Sequence, residues 1–466
     1  MNLPPVSLAR LLEHTADAVQ AVRSGQSLNA WLPRLPAELR PGVQALSFQV
    51  LRRLGAALEV RSQLAPKVPP PNVDALLVSA LALLWPDERP PYPDHTLVDQ
   101  AVSAARQRVP AAAAFINAVL RRFVRERQAQ VQAASRSLQA AFNHPPWWVE
   151  RLRQDWPGQW MELLRQANLH PPMTLRVNAR RSSGQAYVQR LAALGIAARL
   201  LEDPALAGQA VVLAQPRPVQ QLPGFAEGEV SVQDAAAQRA APLLLHPSLP
   251  RLANGARVLD ACAAPGGKTA HLLELAEPEL LALDIDAQRL GRVQDNLTRL
   301  RLQATLKAGD ARSPAAWWDG RPFQAILLDA PCTASGIVRR HPDVRWLRRA
   351  DDIGTLARVQ GQLLDALWPL LAPGGRLLYA SCSLFKAEGE RQIDAFLQRL
   401  GPAVARLAAP SPGHLLPLVD NSRPAATGHG ADRAALPPQE PAPGSKPGHE
   451  GTADQDGFFY ALIEKT

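Results

Sequence analysis

Through the first 135 or so residues apolar positions recur at intervals of three and four, Pro and Gly clusters interrupt them, and almost nothing alternates as a strand would. This pattern predicts helices over Ser7–Ser24, Gly42–Ser62, Val73–Leu84, Thr96–Arg108 and Ala111–Gln130, and so an all-α N-terminal domain over residues 1–140. Between 141 and 240 the periods mix. A Trp/Pro-rich helix start at His144–Trp148, a strand at Met173–Asn178, a helix at Gln185–Leu194 and a turn-rich approach to Val230–Asp234 describe a small α+β linking module. From 241 to 466 strand and helix alternate. Strands are expected at Arg257–Ala261, Leu280–Asp284, Ala304–Ala308, Phe323–Asp329 and Gly375–Ser381, which is the order of an α/β doubly wound, mostly parallel sheet. Residues near 410–455 are rich in Pro, Gly, His and Ala without an apolar period and read as a mobile loop, after which Gly457–Ile463 returns as a last strand.

A chain of 466 residues exceeds one ordinary core, in keeping with a multidomain protein. Its net charge of +9 comes almost wholly from arginine, which suits phosphates and stacked bases and makes nucleic acid the first partner to consider; a genome rich in arginine codons would leave the same mark. No charged start followed by an apolar stretch and cleavage site is visible, and the longest apolar run, Ala75–Trp85, is too short for a bilayer, so a cytosolic protein without membrane contact is expected. The three cysteines, Cys262, Cys332 and Cys382, have neither an even count nor Cys-x-x-Cys spacing, so they are expected to act as thiols, with no metal site.

The stretch DACAAPGGKTAHLLEL, Asp260–Leu275, ends its loop in Gly267-Lys268-Thr269, the tail of a phosphate-binding loop, but the first glycine that loop needs is replaced by Cys262. A glycine pair between strand and helix still brings a ligand close to backbone at a helix N-terminus. In an open α/β sheet ligands lie beyond the carboxyl ends of the strands, where this chain places Cys262, Asp284, Asp310, Asp329 with Cys332, and Cys382. Asp284 stands 17 residues after Gly267, near the spacing at which an acid accepts from ribose hydroxyls. The cofactor therefore has a ribose. NAD would want a fuller glycine fingerprint, whereas S-adenosylmethionine needs no phosphate cradle and suits the Cys262–Lys268 backbone and Asp310. Cys332 and Cys382 close neighbouring strands, face one cleft, and as thiolates can add to an electron-poor ring, with Arg339, Arg340 and Lys386 as cations that would help ionise them; Cys262 reads as a buried structural thiol. Arg121 and Arg122 lie beside an apolar stripe in Phe115–Phe123, either as a solvated face or as an RNA contact.

Five ordered blocks, Cys262–Lys268, Asp284–Asp286, Gly309–Arg312, Asp329–Gly336 and Ser381–Ser383, closely resemble the signatures of the RNA 5-methylcytosine methyltransferases. Arg339–Trp346 and Phe115–Phe123 look like the small-subunit ribosomal RNA methyltransferase B branch, which prefixes a helical domain similar to the antitermination factor NusB. The resemblance implies that Cys382 adds to C6 of a cytosine in 16S ribosomal RNA, that C5 takes the methyl group, that Cys332 assists release and that Asp329 hydrogen-bonds the base. It implies S-adenosylmethionine contacts at Cys262, Ala263, Ala264, Pro265, Gly266, Gly267, Lys268, Asp284, Asp310 and Asp329; RNA contacts are expected at Arg121, Arg122, Arg339 and Arg340, in a monomer. Ser381 departs from the family's usual threonine but keeps the hydroxyl. A transfer-RNA methyltransferase and a catalytically inactive RNA-binding assembly factor are the alternatives; decay would lose a thiol or a cofactor aspartate first, and the sequence has lost none.

Overall fold

In the computed structural model residues 6–87, 90–418 and 453–466 are described, so most of the expected 410–455 loop lies outside the described residues. The described residues form two units, one of residues 6–87, 90–169 and 338–348, the other of residues 170–337, 349–418 and 453–466.

The first unit is helical. Its main helices are Leu8–Arg23, Arg40–Arg52, Leu54–Leu64, Pro71–Leu83, Asp94–Arg108 and Ala113–Ala134. Pro71–Leu83 is buried throughout from Val73 onward, because it is apolar on every face. Its one acid, Asp74, is 1% exposed and takes Arg23 at 2.8 Å and Arg61 at 3.0 Å. The single helix expected over Gly42–Ser62 is two, broken at Arg53, whose backbone leaves the helical region at φ −120°, ψ 10°. The Arg53 guanidinium donates to the carbonyls of Trp85 and Pro86 and to Asp87, tertiary partners that the helical period does not reveal. Among the described helices none is long and apolar enough to cross a membrane.

The second unit holds two sheets. The smaller consists of β1 (Met173–Val177), β2 (Ala198–Leu200), β3 (Ala210–Leu213) and β4 (Val230–Val232), antiparallel in the order β2-β3-β1-β4, with the helix Gly184–Ala193 between β1 and β2. The larger contains β5 (Arg257–Ala261), β6 (Glu279–Asp284), β7 (Thr305–Ala308), β8 (Phe323–Asp329), β9 (Leu371–Ser381), β10 (Ala405–Leu407), β11 (Gly413–Leu415) and β12 (Phe458–Lys465). Its order is β10-β12-β9-β8-β5-β6-β7, with β11 on β12; β5 to β9 are parallel, while β12 is antiparallel to β9. Strand order reverses between β5 and β8, the place where a doubly wound sheet opens a crevice at its carboxyl edge. Residues 413–415, expected in the loop, instead pair with Phe458–Tyr460.

Candidate active site at the carboxyl edge of the sheet

The chain leaves β5 through Cys262 at φ 64° and turns at Gly266 with φ 94° before the helix Gly267–Leu275. A left-handed φ strains any residue with a Cβ, and at Gly266 that Cβ would also meet Val293 Cγ1 at 3.0 Å. Asp284, at the end of β6, is 2% exposed. Its Oδ2 accepts from Ala264 N at 3.1 Å and its Oδ1 from Asp286 N at 3.0 Å, so this carboxylate also fastens the loop. Arg289 completes the clasp, donating to Ala264 O at 2.9 Å. Ala263, Ala264 and Gly266 are buried while Pro265 is exposed, as is Ile285, which lies between the two acids of Asp284-Ile-Asp286. Asp310, after β7, is held in a fork by Arg312 at 2.7–3.1 Å, which lowers its pKa, and lines an open cavity of about 540 Å³ with Arg312, Ser313 and Gln362. Burial, then the charges of Asp329, Asp284 and Asp260, push the Cys262 thiol up to about 12, so it stays protonated and unreactive.

Under the loop, Asp260 of β5 is fully buried and accepts from Thr269 Oγ1 at 2.5 Å; burial outweighs that hydrogen bond and pushes the carboxyl up to about 7. The helix behind is tied to the smaller sheet by Arg176 of β1. Its guanidinium meets Glu274 in a fork at 2.9 and 2.8 Å and donates to Gly267 O at 2.8 Å and to Gln233, with Arg176 and Glu274 side chains each 1% exposed. On the same helix the His271 ring lies 2.8 Å from Gln209 Oε1, and burial, with the Arg176 charge, keeps its pKa well below the usual value and the ring neutral. The sequence reading missed Arg176 and Glu274. The available signal was an arginine inside an otherwise apolar strand, and the pattern does not show which acid answers it.

At the other end of the edge Asp329 closes β8 and accepts from Lys268 Nζ at 2.6 Å, while the ammonium lies 5.4 Å from the Phe458 ring centroid. Burial would lower the Lys268 pKa, but the charge and hydrogen bond of Asp329, joined by the charge of Cys382, raise it. Lys268 thus reaches from the loop after β5 to the end of β8. Sγ of Cys332 and Sγ of Cys382 are 3.4 Å apart, on the turns after parallel neighbours β8 and β9. Gly336 N donates to Cys382 O at 2.9 Å and Gly336 O accepts from Gly457 N at 2.9 Å; a Cβ on Gly336 would sit 2.0 Å from Gly457 O, so only glycine lets these turns meet. The hydrogen bond to Cys382, burial, and the charges of Cys382 and Glu388 raise the Cys332 pKa well above that of a free thiol, so Cys332 keeps its proton. Cys382 has a cation, Lys268, among its electrostatic neighbours and Cys332 an anion, Glu388. Glu388 and the hydroxyls of Thr333, Ser335 and Ser383 were not singled out from the sequence, although hydroxyl residues flank both cysteines there.

The arginines expected at RNA divide. Arg121 and Arg122 are exposed on the helix Ala113–Ala134, the first donating to Asn117 at 2.9 Å and the second to Glu126 at 3.0 Å. Arg339 is 1% exposed and Arg340 is half-buried. The segment Val338–Arg348 belongs to the first unit, where Arg52 donates to Arg339 O at 2.6 Å, Trp346 Nε1 to Leu51 O at 2.8 Å, and Leu28 N to Asp343 at 3.0 Å. Lys386 is paired with Glu390 at 3.0 Å, and Lys268 is a cation coupled to the Cys382 charge.

Comparisons with known proteins agree with this layout. A family model described as 16S rRNA methyltransferase RsmB/F matches residues 248–464, an RsmF/B-like ferredoxin-like domain matches 144–220, and the NusB family matches 11–125. A ribosomal RNA small subunit methyltransferase B from Pseudomonas putida is 45% identical over 82% of this chain and 88% of its own. The protein of that name from Salmonella agona is 41% identical over 97% of each. Among solved structures, a methyltransferase homolog protein from Pyrococcus horikoshii superposes with a TM-score of 0.53 at 27% identity, over 70% of this chain and 97% of that one. The larger sheet is that of an S-adenosylmethionine-dependent methyltransferase, the smaller is ferredoxin-like and the helical unit NusB-like. The chain belongs to the ribosomal RNA small subunit methyltransferase B family.

Proposed function

We propose that this protein methylates C5 of a cytosine in small-subunit ribosomal RNA, through a covalent bond between Cys382 and C6 of the ring. The observation that carries the reading is two thiols 3.4 Å apart, on neighbouring parallel strands, beside a Lys268–Asp329 pair. The cytosine enters unstacked, because C6 is out of reach inside a helix. Cys382, as thiolate, forms the S–C6 bond and sends the displaced electron pair toward C5. Asp329, held by Lys268, accepts a hydrogen bond from the polarised base. S-adenosylmethionine supplies the electrophilic methyl group that C5 takes. A base then removes the C5 proton, the C5–C6 double bond re-forms, and the S–C6 bond breaks to return Cys382; Cys332, the protonated partner, assists that release.

The residues present fit the cofactor. The Cys262–Lys268 loop leads into a helix N-terminus, Asp284 and Asp310 supply acceptors at the ends of β6 and β7, and exposed Ile285 offers an apolar face between them. Bisulfite sequencing of ribosomal RNA from cells with and without the gene tests the reading. One small-subunit cytosine should lose its protection when the gene is absent, and an unchanged pattern rejects the proposal. Arg121 and Arg122 are proposed to hold RNA phosphates; replacing both with Ala should weaken RNA binding and flatten its salt dependence by about one counterion each, whereas an unchanged slope makes them a solvated face.

A further inference from the structure

Cys382 and Cys332 sit on separate turns, and a contact between two thiols is too weak to hold those turns together. Beside the bonds of Gly336 N to Cys382 O and of Ser335 Oγ with Ser383 Oγ and Leu384 N, the hydrogen bonds between these turns converge on Glu388, a fully buried acid on the short helix Lys386–Glu388. Its Oε1 accepts from Thr333 N at 2.9 Å and Gln360 Nε2 at 3.3 Å, and its Oε2 from Thr333 Oγ1 and Ser383 Oγ, both at 2.5 Å. Its backbone carbonyl accepts from Ser381 Oγ at 3.2 Å and Tyr379 OH at 2.8 Å. Both sequence neighbours of Cys382 therefore bond to this one residue, as does the residue after Cys332. The residue before Cys332 is reached one step further, since Gln360 Nε2 also donates to Pro331 O at 2.9 Å.

We infer that Glu388 is the positioning residue that sets the separation of the two thiols, its carboxylate tying the turn after β8 to the turn after β9. A carboxylate is suited to this task because it only accepts, and its two oxygens can take all four donors without a proton of its own in the way. An apolar residue there would take the shared acceptor away from the Thr333 N–H and hydroxyl, the Ser383 hydroxyl and the Gln360 amide, and the two turns would lose this tie between them. This inference rests on the proposal that both thiols serve one ring.

The test reads the spacing directly, without methyl transfer. Full-length reduced protein is treated with diamide, which takes up two electrons and two protons as a thiol pair becomes a disulfide, and peptide mass mapping follows the rate of Cys332–Cys382 closure. Glu388→Ala should slow closure by about 100-fold, since a displacement of about 1 Å costs an intramolecular reaction that much. Glu388→Gln, which retains the acceptor for Thr333 N, should recover part of the rate, and S-adenosylmethionine affinity should be unchanged in both. If Glu388→Ala does not fold, Ser383→Ala and Thr333→Val each open one arm of the clamp and should each slow closure. Closure within about two-fold of wild type in folded Glu388→Ala, or in both single-arm variants, overturns the inference. A wild-type protein that forms no methylcytosine rejects the functional reading instead, and leaves the crosslinking result as a statement about geometry.

Discussion

At the β5–β6 end of the carboxyl edge, Asp284 points back into the loop it follows, Asp260 lies buried beneath, and Arg176 grips the helix behind. What remains for a ligand there is mostly backbone. At the β8–β9 end the reverse holds: side-chain atoms meet in two pairs, Lys268 with Asp329 at 2.6 Å and Cys332 with Cys382 at 3.4 Å, while backbone and hydroxyls beside the thiols are taken up by Glu388. The two ends thus separate a surface shaped by main chain from a set of reactive side chains. Cofactor affinity and chemistry should accordingly fail independently when each end is damaged.

The largest effect is expected at the thiol end. Cys382→Ala should abolish methyl transfer while leaving S-adenosylmethionine affinity intact by calorimetry, and Cys332→Ala should accumulate a denaturation-resistant RNA–protein adduct through Cys382. Normal transfer by Cys382→Ala, with Cys332→Ala inactive and free of adduct, would exchange the two roles. Next is Arg176→Ala, which leaves Glu274 buried without its partner. Breaking a buried pair by removing one member costs about 3–5 kcal/mol, so a fall in denaturation midpoint and in cofactor affinity is expected, without a change in the Cys332–Cys382 crosslinking rate. A midpoint within error of wild type would show that the pair is dispensable. Asp284→Ala comes third. It removes a carboxylate that accepts two backbone hydrogen bonds here and is proposed to accept from the ribose as well, at about 1.5–3 kcal/mol for a charge-assisted bond. Cofactor affinity should fall while transfer at saturating cofactor persists, and unchanged affinity on calorimetry would remove Asp284 from the cofactor site.

The same division decides what could be read from the sequence. The five parallel strands were legible because a polar or small residue punctuates each carboxyl end, and that punctuation also pointed to Cys262, Asp284, Asp310, Asp329, Cys332 and Cys382. Residue spacing along one strand and its turn is local information. Missing were the partners that come from elsewhere in the chain: Arg176 is 98 residues from Glu274, and Glu388 is 55 from Thr333. Lys268 was read as part of the loop, yet its ammonium reaches Asp329, 61 residues away. β2, a strand of three residues with no fully buried position, has no alternation to detect. The burial of Arg339, 1% exposed, was not legible either, because its neighbours Arg340, His341 and Asp343 are polar.

The smallest effect on function is expected from Asp260→Asn, and it shows which form of that carboxyl the cofactor end of the edge requires. Asp260 lies beneath the loop with its carboxyl pushed up to about 7, chiefly by burial. In the unfolded chain it titrates at an ordinary value of about 3.9. Between those two values the folded state holds a proton that the unfolded state has released. Stability from this group is therefore greatest below about pH 4, falls as pH rises toward 7, and levels off above that, when both states are ionised. Asparagine keeps the acceptor for Thr269 Oγ1 at nearly the same shape and does not titrate. The variant should match wild type most closely near pH 5 and become relatively more stable toward pH 8, with cofactor affinity little altered, because the Asp260 carboxyl is buried and its hydrogen bond to Thr269 is kept. Thermal unfolding of both proteins at pH 5, 6, 7 and 8 measures this. Parallel curves would mean that Asp260 is ionised in the folded protein throughout, and that the cofactor loop, like the thiols, is held by a buried charge.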